Sequence, residues 1–397
     1  MEPISRRQAL TGVATGFLIA RPETAFSYQA NSAISFGVIG TGGRGVYVGT
    51  HMAHVAGTRL AAICDIYPDR IDNGKTRIPG GQDARVYRNY RELLAQTDID
   101  AVLITTPVYL HPEHFEAAVE ARKHIYCEKP AGADVAGVKR LLRASEKAEK
   151  SQTIQFGLQQ RFSPEYLTGL DISKSGKIGE VKLMMSYWIL GGTPPKSFNR
   201  PANLSPEDEK IRLWGSWMDR SGGVIVEQDC HGVDMLNWFA GDGHPASARG
   251  SGGLRYPLVY GDQDSDHHEI TYYYPGGVEG WLISAKHTAG FRDVKEQFFG
   301  SAGMVETART YYKLHGPIAN SPYKNADDLT DSSLIERRVS TREITIDAVE
   351  AFFASIRDRK PYNMAPVAAN ATFTSILGRM AYQQKREVTW NEMLQSA

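Results

Sequence analysis

The chain has 397 residues, with 45 Lys+Arg against 45 Asp+Glu, 42% hydrophobic and 23% charged residues; this is a globular composition with room for two or three domains. A net charge of zero gives no basic field for a nucleic-acid backbone, and no run of about 18 apolar residues offers a membrane span. The cysteines Cys64, Cys127 and Cys230 form no C-x-x-C pair, so neither a disulfide framework nor a cysteine zinc site is expected.

At the N-terminus, Ser5-Arg6-Arg7-Gln8-Ala9-Leu10 leads into a short Gly-containing apolar run to Ala20, followed by Arg21, Pro22 and small residues around Ala25 and Ser27. This is the layout of a removable export peptide. It resembles the twin-arginine pattern S-R-R-x-F-L-K, with departures at Ala9 and Thr11. Residues 1–28 are therefore expected to be a signal handled by export machinery, giving a periplasmic or otherwise exported protein. The alternative is a basic N-terminus on a cytoplasmic one.

Residues 32–155 read as a first domain. An apolar run from Ile34 to Ile39 suits a buried strand and is followed by Gly40-Thr41-Gly42-Gly43-Arg44-Gly45, then a helix to about Ala56. A second strand, Thr58 to Cys64, ends at Asp65, 20 residues after Gly45. That spacing matches the fingerprint of a dinucleotide site, with backbone N–H groups and a helix N-terminus on the pyrophosphate and a carboxylate on the ribose. A carboxylate there repels a 2′-phosphate, so NAD is expected rather than NADP, with Arg70 as the one nearby cation. The alternation continues: helix Tyr90 to Ala95, strand Asp100 to Thr105, helix His111 to Ala121, strand His124 to Cys127, helix Val135 to Lys150, strand Thr153 to Gly157. Alternation of this kind predicts a doubly wound parallel sheet with ligands at its strand C-termini, where Thr106, Pro107, Glu128, Lys129 and Pro130 fall.

Residues 156–397 read as a second α/β domain. Val181 to Ile189, His268 to Tyr274 and Glu279 to Ala285 have strand composition, and Ile346 to Arg357 and Val367 to Lys385 read as helices packing back on the body.

The glycine loop, Thr106-Pro107 with His111, and Cys127-Glu128-Lys129-Pro130 together resemble the glucose–fructose oxidoreductase, inositol dehydrogenase and MocA-like (Gfo/Idh/MocA) family. The resemblance continues through Gly179-Glu180-Val181, Gly222-Gly223, the stretch Glu227 to Asp234, and Val388-Thr389-Trp390. It implies a Rossmann domain followed by a domain built on a large, open, mostly antiparallel sheet, and a homodimer or homotetramer covering that sheet. It also implies NAD-dependent hydride transfer to or from a hydroxyl of a sugar, polyol or related carbohydrate. An exported protein is expected to hold the cofactor tightly.

The family pairs the Glu-Lys-Pro lysine with an Asp-x-x-x-His pattern, matched here by Lys129 and His231, with Glu227 in place of the aspartate. An i, i+4 spacing puts Glu227 and His231 on one helix face, and Asp234 is the substitute partner for the imidazole. Oxidation of an alcohol needs a base for the hydroxyl proton, which suits His231, and a cation for the developing alkoxide, which suits Lys129. If burial lowers the lysine pKa, the two roles exchange. The resemblance places Gly40, Thr41, Gly42, Gly43, Arg44, Gly45, Asp65, Thr106, Pro107, His111, Glu128 and Lys129 at the cofactor. Lys129, His231 and Asp234 are placed at the substrate, and Arg161, in Gln159-Gln160-Arg161-Phe162, either reaches a substrate hydroxyl or makes a surface salt bridge. His111 and His114 read as a helix start and a solvated position. Trp188, Trp214 and Trp217 are either sugar platforms or core. Asp264, Asp266, His267 and His268 invite a metal reading, but neighbouring strand side chains diverge, and none is expected. The rival functions are an NAD-dependent glycosidase working by transient oxidation and elimination, and a non-catalytic sugar sensor.

Overall fold

The computed structural model describes residues 33–193, 204–317 and 333–396; the expected export signal lies outside them. The first domain runs β1 (Ile34–Ile39), α1 (Gly43–His54), β2 (Thr58–Cys64), α2 (Pro68–Arg77), β3 (Arg85–Tyr87), α3 (Tyr90–Leu94), β4 (Ala101–Ile104), α4 (His111–Glu120), β5 (His124–Cys127), α5 (Val135–Ser145) and β6 (Ile154–Phe156). All six strands pair in parallel in the order β3-β2-β1-β4-β5-β6, the doubly wound arrangement. Helices cover both faces, so β4 is buried along its whole length and β1 from its second residue on.

Two elements have little sequence signal. Helix α2 buries only Ile71 and Gly74, and the edge strand β3 buries none of its three residues. Helix α5 stops at Ser145 rather than Lys150. There the chain tightens, with Lys147 N–H donating to Ala144 O and Ala148 N–H to Ser145 O.

The second domain continues with α6 (Pro164–Lys174), β7 (Val181–Gly192), α7 (Pro206–Arg212), α8 (Met218–Ser221), α9 (Val224–Glu227) and α10 (Cys230–Phe239). Strands β8 (Ser247–Gly253), β9 (His267–Tyr273), β10 (Glu279–His287), β11 (Arg292–Gly300), β12 (Gly303–Ala308), β13 (Tyr311–His315) and β14 (Leu334–Val339) follow. The described chain ends with α11 (Ile344–Arg357), α12 (Ala365–Gln384), β15 (Val388–Thr389) and α13 (Trp390–Gln395). One nine-stranded sheet results, ordered β14-β13-β12-β11-β7-β10-β9-β8-β15. Among the described residues β7 and β10 pair in parallel, and the other pairs are antiparallel. Burial alternates along β9 and β10, because helices α6, α10 and α12 cover one face only.

Helix α11 returns to the first domain. Phe352 and Phe353, both fully buried, pack edge-on to Tyr126 (5.7 Å between centroids) and tilted to Phe36 (5.9 Å). Each such aromatic removes about 150–250 Å² from water, so the C-terminal helix is part of the Rossmann core. No helix among the described residues is long and apolar enough to cross a membrane.

Candidate active site

The glycine loop turns from β1 into α1. Gly40 has φ +94°, a left-handed value that favours glycine. A Cβ on Gly45 would lie 1.9 Å from the Gly40 carbonyl oxygen, whereas one on Gly42 or Gly43 would meet nothing within 4 Å. Gly45 thus permits close helix–strand packing, and Gly42 and Gly43 leave open space at the α1 N-terminus for a pyrophosphate. Asp65 is fixed at the end of β2, with Oδ2 accepting from Thr41 N–H (2.9 Å) and Oδ1 from Tyr67 N–H (3.0 Å). These oxygens keep spare lone pairs toward a cleft of about 420 Å³ that is also lined by Gly42, Gly43, Arg70, Thr106, Pro107 and His114. The donor set, the open glycine cradle and the carboxylate fit an adenosine ribose and pyrophosphate.

Several expected cofactor residues act by holding this cradle rather than lining it. Thr41 is fully buried and donates through Oγ1 to Arg70 O at 2.8 Å. Arg44 donates to Glu128 at 2.8 Å, and the carboxylate of Glu128 is buried by the approach of Gly157. The ring nitrogens of His111 face Pro130 O (2.7 Å) and Thr106 O (2.9 Å). This histidine, 1% exposed, straps the end of β4 to the loop after β5 instead of facing the cleft. His114, expected in solvent, is buried against Tyr90 (4.1 Å between centroids) and bonded to Thr106 Oγ1 at 3.0 Å. Burial pushes its pKa down to about 4.

The second domain closes over the adenosine end. Arg212, in α7, pairs with Asp69 at 2.8 Å and lies 3.9 Å from the Tyr67 ring centroid, while Tyr67 OH donates to Asp208 at 3.1 Å. Trp214 lines the same cleft, and Trp217 stacks with the Lys210 ammonium at 4.7 Å.

At the other end of the crevice, Lys129 reaches across the domain boundary. Its Nζ donates to the Glu227 carbonyl oxygen and lies 3.3 Å from Glu227 Oε1. The expected shared helix face of Glu227 and His231 does not form, because α9 ends at Glu227 and α10 starts at Cys230. The carboxylate faces Lys129 instead. Burial acts to lower the lysine pKa, but Glu227, Cys230 and Glu128 outweigh it, and the net shift is upward. That direction favours a charged lysine over a neutral, proton-relaying one. His231 is 5% exposed, stacked on Trp188 at 5.4 Å and 21°, and its Nδ1 has no partner. Desolvation, with Lys129, Arg309 and Arg44 nearby, holds its pKa well below the ordinary value, so the imidazole is neutral.

The remaining substrate candidates turn inward. Asp234 forms a bidentate pair with Arg161, 2.8 Å at each contact, and Arg161 also bonds to Asp242 at 2.8 Å and lies over Trp238 at 4.9 Å. Side-chain exposures of 9% and 1% make Arg161 and Asp234 a buried strut and leave neither free for His231 or a ligand. Asp266 accepts from the N–H groups of Arg255 and Tyr256 and pairs with His267 at 2.9 Å. His268 faces the other way, to Ser265 Oγ at 2.7 Å and Asp229 at 3.5 Å.

The residue overlooked in the sequence is Arg309, just after β12, whose guanidinium lies 5.7 Å from the Trp188 ring centroid. Nothing local marks it. Its position depends on the pairing of β11, β12 and β7.

Fold and cradle together define a dinucleotide-binding protein with an ammonium and a neutral imidazole at one end of the crevice. Residues 34–156 match the GFO_IDH_MocA model, an oxidoreductase family with an NAD-binding Rossmann fold. The first domain thus matches the Gfo/Idh/MocA family, and inositol dehydrogenases are among the relatives of this chain. Inositol 2-dehydrogenase of Rhizobium meliloti (strain 1021) is 25% identical over 273 residues, 68% of this chain and 74% of its own length. Scyllo-inositol dehydrogenase from Lactobacillus casei, solved with NAD(H) and scyllo-inositol, superposes with a TM-score of 0.68 at 21% identity, covering 90% of this chain and 99% of its own. Levoglucosan dehydrogenase, solved with NADH and levoglucosan, gives 0.72 at 15% identity over 90% and 99%. These structural likenesses establish the shared two-domain fold.

Proposed function

We propose that the protein is an NAD-dependent oxidoreductase acting on a hydroxyl of a sugar, polyol or related carbohydrate in the crevice between its domains. The observation that carries this reading is Lys129, placed beside the dinucleotide cradle and pinned across the domain boundary to Glu227, next to a neutral His231. When bound, NAD supplies the hydride acceptor. The Lys129 ammonium faces the substrate oxygen and stabilises charge developing there. His231 starts the reaction unprotonated, as a base for the hydroxyl proton must. Glu227 keeps the lysine charged, and Trp188 fixes the imidazole plane. Arg44–Glu128 and the His111 strap hold the loops that carry Lys129.

The same reading extends to the cell. An exported, tightly held cofactor is supported by Ser5-Arg6-Arg7 and the apolar run behind it. A homodimer or homotetramer is supported by the half-exposed outer face of the nine-stranded sheet.

The test begins with protein purified without added cofactor, denatured and assayed for released nicotinamide nucleotide. NAD reduction is then screened over cyclitols, sugars and polyols. Net NADH production that Lys129→Met and His231→Ala reduce by about 10²-fold or more supports the assignment. Glycoside hydrolysis without net NADH, or no binding of NAD(H) at all, sinks it.

A further inference from the structure

We infer that Arg309 anchors a carboxylate, so that the carbohydrate oxidised here is a sugar acid, a uronate or aldonate, whose carboxylate docks on the Arg309 guanidinium beside Trp188 while its reacting hydroxyl meets Lys129 and His231. This rests on the oxidoreductase reading and names its substrate class.

Arg309 follows β12 in the two-residue turn to β13, after the pair Ala308–Tyr311. Its guanidinium lies over Trp188 at 5.7 Å, and the same indole stacks on His231. Its Nε is buried without a partner, and the side chain makes no hydrogen bond or ion pair among the described residues. A guanidinium carries five donors and stays charged. Leaving such donors unpaired in a half-buried place is unfavourable unless a ligand takes them.

The other cations of the crevice are already paired: Lys129 with Glu227, Arg44 with Glu128, Arg161 with Asp234 and Asp242. No carboxylate lies within ion-pair distance of Arg309 among the described residues, although its charge helps to keep Glu343 ionised. Glu296 is fully buried, accepts from Tyr166 OH at 2.8 Å, and burial pushes its pKa up to about 8, so it is mostly protonated at neutral pH. Glu343 caps α11, accepting from Thr345 N–H (3.1 Å) and Oγ1 (2.8 Å). One free planar fork beside an aromatic platform suits a carboxylate, which it binds through two parallel N–H···O bonds. A phosphate dianion calls for more free cations than this crevice holds.

The probes are matched pairs titrated calorimetrically into the NADH-loaded full chain: D-glucuronate and D-glucose, D-galacturonate and D-galactose, D-gluconate and sorbitol, with glucose 6-phosphate alongside. The expected result is one pair in which the acid binds about 10- to 100-fold tighter, the scale of a charge-assisted bidentate contact. Arg309→Gln brings that ratio down to near one, and Arg309→Lys, which keeps charge without the fork, leaves an intermediate ratio. A thermal melt identifies a misfolded Arg309→Gln, in which case Arg309→Lys decides. The inference is overturned by no acid preference in any pair, by an unchanged ratio in the variants, or by tighter binding of glucose 6-phosphate than of every carboxylate. Failure to bind NADH refutes the oxidoreductase reading instead, and that binding is measured separately by nicotinamide fluorescence.

Discussion

Replacing Glu227 by Gln removes the counter-charge of Lys129 while keeping the shape of the side chain and the backbone carbonyl that Nζ also bonds. At the observed 3.3 Å and an effective dielectric of about 20, two unit charges attract by roughly 5 kcal/mol. Glu227 is 25% exposed, and solvent screening lowers the useful part to roughly 2 kcal/mol, about a factor of 30. The sign follows from the causes: Glu227 opposes desolvation, so its loss lowers the Lys129 pKa. The assay is kcat/KM for NADH formation against pH, alongside NADH binding. The alkaline limb of Glu227→Gln is expected to move to lower pH, and kcat/KM on that limb to fall by about 10- to 100-fold with NADH affinity kept. A wild-type profile in the variant refutes the argument, because a merely structural glutamate would not set the limb.

Gly45→Ala is expected to misfold or lose more than about 3 kcal/mol, since its Cβ meets backbone at 1.9 Å; Gly42→Ala, with open space around it, keeps its melting temperature but weakens NADH binding at least tenfold. Equal behaviour of the two in melting and titration contradicts the cradle. Arg161→Ala strands a buried Asp234 and costs about 3–5 kcal/mol in urea unfolding. Burial already raises the Asp234 pKa against the opposing Arg161, so the deficit shrinks as pH falls and the carboxyl protonates. Burial depresses His114 from the ordinary histidine value of about 6.5 to about 4, so between those pH values the unfolded chain binds a proton that the folded one does not. Stability from this group is present above about pH 6.5 and is lost as pH falls toward 4, at about 1.4 kcal/mol per pH unit. His114→Asn should flatten the urea-derived stability curve by that slope, and an unchanged slope places the titration elsewhere.

The Rossmann half was legible because its signals are local. Strand β1, its glycines and the strand ending at Asp65 occupy one short stretch, and the buried parallel strands read as apolar runs. Exposed β3 and polar α2 were not, since an edge strand and a surface helix need no apolar pattern. In the second sheet β9 and β10 have alternating burial that composition revealed. Strand β14 is exposed at all six residues, and a strand that pairs with β13 alone among the described residues leaves no period to read.

The same contrast separates two arginines in the site. Arg161 stood beside a strand end and looked available, and Arg309 stood in a hairpin and drew no notice. Their fates depend on residues far along the chain: Arg161 meets Asp234, 73 positions away, and Arg309 meets Trp188 through two strand pairings. A motif specifies which groups a backbone turn can present, and the glycine loop and Glu-Lys-Pro did so. Whether a charge is neutralised is a property of the assembled crevice. Burial without a partner is unfavourable for any ion, so the cation that the fold leaves unpaired beside the reacting groups is the one whose partner arrives with the substrate.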